Sequence, residues 1–368
     1  MPHRKLCALQ NLSAFYPPPV LKTLTDSLRR HIALTSDELG DAVRLLTSDQ
    51  PSVEAKAEFL TALAQKGETV EEIAAFAREL RSLSIQPPID SATRAGEILD
   101  VCGTGGDRLN TFNISTTVAL VVASAGVAVA KHGNRAITSQ AGSADVLEAL
   151  GIRIDLTPEE AAARLRDHHF AFFFALKYHP AFKNIGPARR LCAQRGQRTI
   201  FNFLGPLLNP AKPTAQLIGV PRPALCESVG RVLQSLGIRR GMVVCGAVET
   251  TGGVAYLDEL STLGDNTVAE FYQDRAFTTS TLSPKNFPLR PAQLSDLAGA
   301  DAKTNAEIVR RILHGEERGP KRDAVLLNAA AALFVASRVK SMVEGWTLAG
   351  ELIDGGSAAA KLNSLVST

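Results

Sequence analysis

From Gly96 to Gly151 short apolar runs end in glycine- and hydroxyl-rich corners, and each corner opens a run with helical spacing. Ile98 to Val101 is a strand-length run leading into Gly103-Thr104-Gly105-Gly106-Asp107. A helix is predicted from Ser115, a strand from Val127 to Ala130 and a second helix from Ser143. Apolar spacing that switches from about 2 to about 3.6 residues and back is the pattern of parallel strands joined by crossover helices. Thr157-Pro158-Glu159-Glu160 opens the next helix with proline in its first turn. Phe170 to Leu176 follows as a buried strand, Pro223 to Leu236 as a helix, Met242 to Cys245 as a strand and Thr267 to Tyr272 as a more exposed strand. Lys303 to Leu313, Arg322 to Ser337 and Met342 to Leu365 read as helices over the sheet. The fold class is therefore α/β, with a mostly parallel central sheet flanked by helices.

Residues 22–95 have a different character, with Ala, Leu, Glu and Arg in helical spacing and no convincing strand. Leu21, Leu24, Leu28 and Ile32 share a face, and Ser36 with Glu38 marks the start of a following helix. Val53 to Lys66 and Val70 to Leu83 are separated by Gly67, and Thr69 with Glu72 fits a capping box. Pro87-Pro88 ends this all-helical region. Between Asn184 and Pro213 the pattern falters, with Arg190, Arg195 and Arg198 near Gly186, Gly196 and Gly205. This stretch reads as the chain crossing back to the helices. The expected organisation is an N-terminal tail over 1–21, a small helical domain over 22–95 with a discontinuous contribution from about 184–213, and an α/β large domain over 96–183 and 214–368.

At 368 residues the chain can bury a sizeable core without covalent staples. Its net charge of +3 is too mild for a nucleic-acid footprint. Five cysteines with no CxxC pair read as reduced thiols of a cytoplasmic protein. No apolar run reaches the roughly 18 residues of a membrane span. The first residues, with Arg4 and Lys5 but no apolar stretch behind them, read as a short tail and not a signal.

The corners carry the chemistry. Gly103-Thr104-Gly105-Gly106-Asp107 follows a strand, and glycines there let consecutive N–H groups approach an anion. It is neither a Walker loop nor a dinucleotide fingerprint, since Arg108 replaces the third glycine of the latter. Asn113-Ile114-Ser115-Thr116 starts a helix, where free N–H groups and hydroxyls suit an anion as well as a plain cap. Lys131-His132-Gly133-Asn134-Arg135 ends a strand beside the first loop and is either a ligand corner or a solvated basic turn. Gly142-Ser143-Ala144-Asp145 offers a third helix start. Asp258-Glu259 is a pair of loop acids that either face solvent or hold Mg²⁺ together with substrate phosphates. His168-His169 ends a helix with no ligand partner at metal spacing, and no serine or cysteine sits in a nucleophile elbow.

The ordered set GTGGD, NIST, KHGNR, GSAD and LDELS, with His179-Pro180, RTIFN from Arg198 and LGPLLNP from Leu204, resembles the anthranilate phosphoribosyltransferase family over nearly the whole chain from about Leu24. The resemblance implies transfer of phosphoribosyl from phosphoribosyl pyrophosphate to anthranilate, a step of tryptophan synthesis, by a homodimer formed through the helical domain. It implies that Gly103, Thr104, Gly105, Gly106, Asp107, Asn113, Ser115, Thr116, Lys131 and Ser143 bind phosphoribosyl pyrophosphate. His132, Asn134, His179 and Arg189 would bind anthranilate, and Ser115, Asp258 and Glu259 would place Mg²⁺. No strong general base is expected, because an aniline amine needs orientation more than deprotonation. Three departures stand out: Arg108 where the family usually has glycine, about three residues added between Arg189 and Arg198, and a longer loop from Cys245 to Gly253. Two other readings are a paralogue with another aromatic acceptor and a non-catalytic nucleic-acid-binding relative; the mild charge and the intact Asp258-Glu259 pair count against the second.

Overall fold

The computed structural model describes residues 20–136, 140–250 and 252–367, so nearly all of the expected tail lies outside the described residues. Helices Leu21–Arg29, Ser36–Thr47, Val53–Lys66 and Val70–Ser82 form an N-terminal bundle around Leu24, Leu28, Leu46, Phe59, Leu63 and Phe76. Thr69 and Glu72 form the expected capping box, whereas the second helix is capped by Thr35 with Glu38, one residue earlier than the spacing implied. Glu72 is buried and also accepts from the Leu34 N–H and Lys66 Nζ, which ties the ends of these helices together.

Among the described residues eight strands form one sheet: β1 (Ile98–Gly103), β2 (Ala128–Gly133), β3 (Phe170–Phe174), β4 (Ala215–Gly219), β5 (Arg240–Thr250), β6 (Gly253–Leu257), β7 (Asn266–Tyr272) and β8 (Ala276–Leu282). Their order is β3-β2-β1-β4-β5-β7-β8, with β6 paired to the end of β5. Pairing is parallel from β3 to β5 and antiparallel among β5, β6, β7 and β8. The mostly parallel sheet flanked by helices is the expected fold class.

Side chains alternate across a strand, so the sheet divides its neighbours into two groups. Leu99, Val101, Val129, Leu217 and Val244 pack on one face against helix Ile114–Ser124 and helix Pro320–Val335. Cys102, Ile218, Val243 and Cys245 face the other way and share a core with the N-terminal bundle. Helix Phe182–Gln194 also joins that core through Ile185, Ala188 and Cys192. Lys56 Nζ donates to the Asn184 carbonyl at 3.1 Å, and Asn184 Nδ2 donates to the Thr47 carbonyl at 2.7 Å.

Several elements depart from the expected ones. β2 extends through Gly133, so Lys131 and His132 lie inside the strand and not in a turn after it. The Phe170 strand stops at Phe174 and a short helix, Ala175–Tyr178, follows. The long Cys245 to Gly253 loop is a hairpin of β5 and β6, paired from Gly246↔Leu257 to Thr250↔Gly253 with Glu249 and Thr250 exposed toward its tip; its Thr251 lies outside the described residues. β7 is largely buried, and the exposed edge is instead β8, rich in threonine. The last predicted helix is two, Met342–Asp354 and Ser357–Val366, divided at Gly355-Gly356, where Gly356 has φ +78°.

Candidate active site

Ligands of open α/β sheets lie beyond the carboxyl ends of the parallel strands, and the sequence-marked residues gather there. β1 ends at Gly103, β4 at Gly219, and the turn after β6 lays Asp258-Glu259 across both ends. A Cβ on Gly103 would stand 2.2 Å from Asp258 Oδ2, and one on Gly219 would stand 1.5 Å from the Asp258 carbonyl oxygen. Only glycine admits this approach at either strand end. Thr104 donates its N–H to the Gly219 carbonyl at 2.9 Å, which fixes the start of the loop. Gly105 and Gly106 then turn through φ +78° and +93°. Arg108 also takes a left-handed conformation, φ +61°, so the position where the family usually has glycine keeps a glycine-like backbone.

Two carboxylates close this end of the sheet. Asp258 Oδ2 accepts the Gly105 N–H at 2.6 Å, and Glu259 Oε1 accepts the Ser115 N–H at 3.2 Å. Each acid therefore holds a donor that an anion at the loop or the helix start would use. Both are at most 9% exposed. Burial, and then the neighbouring Asp107 and Glu259, push the Asp258 carboxyl well above its ordinary range. Burial raises Glu259 as well, against the opposing pull of Lys131. Lys131 is buried, donating to the Val101 carbonyl at 2.7 Å and to Ser115 Oγ at 3.4 Å. Burial lowers its pKa, while nearby acids pull the other way. The Thr116 hydroxyl is buried with no partner among the described residues.

The flank of this corner is braced from a distance. Asn113 Nδ2 donates to the Ala141 carbonyl and its Oδ1 accepts from Asn305 Nδ2 at 2.9 Å, so its side chain is oriented by the protein. Gly299 donates its N–H to the Asn110 carbonyl, pinning the far end of the glycine loop. Asn134 and Ser143 meet at the corner after β2, where Ser143 Oγ donates to the Asn134 carbonyl at 3.5 Å. Arg135 turns outward into ion pairs with Asp145 and Glu148.

His132 neighbours Lys131 on β2 and so points to the opposite face. Its Nδ1 lies 3.2 Å from the Gly205 carbonyl and its Nε2 lies 3.2 Å from His179 Nε2. A carbonyl only accepts, so His132 carries its proton on Nδ1, and His179 likewise bonds the Leu208 carbonyl. Burial first, then His179, lowers the His132 pKa to about 3, and burial lowers that of His179 to about 4. Both rings are neutral at physiological pH. His179 stacks on Phe182 with centroids 5.1 Å apart, Phe182 meets Phe201 edge-on, and the Arg189 guanidinium lies 4.9 Å from the centre of the Phe201 ring. Burial alone lowers the Arg189 pKa.

The sequence-marked residues thus form two clusters at the carboxyl end of the sheet: Gly103 to Asp107, Ser115, Lys131, Asp258 and Glu259 in one, and His132, His179 and Arg189 in the other. Asp100, Gln216, Asn305 and Arg81, which tie these clusters to the fold, were not singled out from sequence. Asp100 left one signal, a carboxylate in the middle of the apolar run Ile98 to Val101.

Residues 22–84 match the glycosyl transferase family helical bundle domain and residues 95–359 match the glycosyl transferase family a/b domain. The anthranilate phosphoribosyltransferase of Alkaliphilus metalliredigens is 46% identical over 308 residues, covering 84% of this chain and 86% of that protein. The chain belongs to the anthranilate phosphoribosyltransferase family. The family member from Roseiflexus castenholzii is 44% identical across 95% of this chain and 98% of its own length. Among solved structures, anthranilate phosphoribosyltransferase from Thermus thermophilus superposes with a TM-score of 0.83 at 38% identity, covering 94% of this chain and 98% of that one. The Saccharomyces cerevisiae family member in complex with phosphoribosyl pyrophosphate and Mg gives 0.82 at 28% identity, covering 94% and 97%. The departures at Arg108, around Arg195 and at the β5–β6 hairpin therefore sit within a family fold.

Proposed function

We propose that this chain transfers the phosphoribosyl group of 5-phosphoribosyl 1-pyrophosphate to the amine of anthranilate, releasing pyrophosphate in the tryptophan pathway. The observation that carries this is the buried Asp258-Glu259 pair seated on the N–H donors of the glycine loop and of helix Ile114–Ser124. Asp258 and Glu259 are adjacent buried acids with Asp107 close to Asp258, a concentration of negative charge that a cation would neutralise. Their all-oxygen donor set, with Ser115 Oγ nearby, fits Mg²⁺, which binds through one or two carboxylates plus substrate phosphates. Bound there, Mg²⁺ supplies charge neutralisation for the diphosphate leaving group.

The chain's own residues do the rest. Asp258, Glu259 and Ser115 would hold Mg²⁺, and the Gly105 and Ser115 N–H groups, with the Thr104 and Thr116 hydroxyls, would serve as donors for phosphoryl oxygens. Lys131 adds a buried positive charge against the charge that grows on the leaving group, where low dielectric strengthens it. Asn113, Ser143, Gly103 and Gly106 shape the walls of this half. In the other cluster, Arg189 receives the anthranilate carboxylate, while neutral His132 and His179, with Asn134 at the corner, orient the ring and amine without acting as a strong base.

Three coarser features accompany the assignment. The division into a helical part, 22–95 with about 184–213, and an α/β part is supported by the packing of helix Phe182–Gln194 on helix Val53–Lys66. A homodimer through the bundle is supported by the exposed apolar side chains of Val20, Ile32 and Val53. A cytoplasmic location is supported by four free, buried cysteines among the described residues; no helix among those residues is long and apolar enough to cross a membrane.

The assignment is tested by following anthranilate fluorescence with phosphoribosyl pyrophosphate and Mg²⁺. Fluorescence should fall with the wild type, and Asp258→Asn with Glu259→Gln should abolish the loss while circular dichroism stays native. Turnover of a substituted anthranilate or another aromatic amine, with none of anthranilate, would overturn the acceptor assignment.

A further inference from the structure

On the sheet face beneath the bundle lies a buried acid that the chemistry above does not use. Asp100 is fully buried on β1. Its carboxylate meets neutral donors: Asn209 Nδ2 at 2.9 Å, Gln216 Nε2 at 3.4 Å and the His132 main-chain N–H at 3.4 Å. Burying a carboxylate without an ion-paired cation is among the costliest placements in a protein, and an apolar side chain would fill the strand position more cheaply.

The donors that surround it all grip one segment. Asn209 lies at its end and also donates to the Ala130 carbonyl at 2.7 Å. Gln216 donates to the Pro206 carbonyl at 2.7 Å, and from the bundle Arg81 Nε donates to the Leu207 carbonyl. The segment's first carbonyl, Gly205, is the partner of His132 Nδ1. Arg81 and Gln216 therefore clamp adjacent carbonyls from opposite sides, and Arg81 Nη2 and Gln216 Oε1 remain buried without a partner among the described residues.

We propose that Asp100 is a positioning residue for the acceptor half of the site: it holds Gly205–Asn209 against β1 and β2 and so sets the seat and tautomer of His132 and its pairing with His179. The inference rests on the transferase function proposed above. The hydrogen bonds of Asp100 are one-sided, although its charge also reaches Lys131 through the sheet. Asp100 and His132 share the face under the bundle, whereas Lys131 bonds the Val101 carbonyl and Ser115 on the other.

Steady-state kinetics on the full chain tests this with Asp100→Asn, whose amide must turn its NH2 toward either the Asn209 and Gln216 donors or the His132 N–H. One misdirected buried hydrogen bond is expected to lower kcat/KM for anthranilate by about tenfold or more. KM for phosphoribosyl pyrophosphate, and its Mg²⁺-dependent binding by calorimetry, should stay within about twofold, less than one hydrogen bond is worth. Equal losses for both substrates, or unchanged kinetics with only a lower Tm, would overturn the proposal. Should Asp100→Asn be recovered unfolded, Arg81→Lys, which keeps the charge but loses the Nε donor, must show the same split, and symmetrical loss there overturns it too. Wild-type enzyme that leaves anthranilate untouched would sink the function itself; wild-type turnover with symmetrical variant kinetics sinks only the positioning role.

Discussion

Arg108 shows how a side chain can occupy a backbone position suited to glycine. A left-handed non-glycine residue costs roughly 1 to 2 kcal/mol, partly offset by the extra freedom glycine has in the unfolded chain. Arg108→Gly is therefore expected to raise stability by up to about 1 kcal/mol in denaturant melts, with phosphoribosyl pyrophosphate affinity retained; destabilisation would mean that the arginine side chain holds the loop. The two acids behave in the opposite sense to ordinary surface carboxylates. Their folded pKa values are raised, so folding favours their protonated forms; that contribution is complete below the unfolded values near pH 4 and is lost as pH rises through the folded ones. In chelator, the Asp258→Asn, Glu259→Gln protein should melt above the wild type at pH 8, with the gap closing toward pH 5. A gap that is constant with pH would remove the electrostatic cause. With His132 near 3 and His179 near 4, rate profiles should show no imidazole titration between about pH 6 and 8, and a step there would mean that one ring binds a proton in the site.

At the scale of elements, the strand ends set the geometry. β4 terminates at Gly219 directly under the Asp258 carbonyl, so Gly219→Ala must push the acidic corner away from the glycine loop. Its kcat should fall by about a hundredfold or more, as misplacement near the chemistry does, while the protein still folds; near-normal activity would show that the corner relaxes. β4 itself was not legible in sequence, because Ala215-Gln216-Leu217-Ile218-Gly219 is short, carries a buried glutamine and follows a proline-rich crossing. β8 was missed because the threonines and serine of an exposed edge carry little hydrophobic period, and β6 because its short run Gly253 to Leu257 shows no alternation. The helix starts at Ser143 and Pro158, by contrast, were readable because hydroxyl, proline and acid caps act within one turn.

Across the whole molecule, adjacent residues of β2 serve opposite faces: Lys131 joins the phosphate side and His132 the acceptor side. The motifs could be read individually, since each is a local solution to binding an anion or opening a helix. Their partition into two clusters could not, because it depends on register and on a crossing segment whose grip by Arg81, Asp100 and Gln216 joins residues far apart in sequence. A transferase with two half-sites on one sheet end couples departure of pyrophosphate to capture of the ribose carbon by the amine. The most direct measurement is the stoichiometry of pyrophosphate released to anthranilate consumed in a single reaction with Mg²⁺ and phosphoribosyl pyrophosphate. One pyrophosphate per anthranilate, with negligible release when anthranilate is omitted, is expected; release that proceeds without anthranilate consumption would mean that the acceptor half does not bind anthranilate and that the proposed function is wrong.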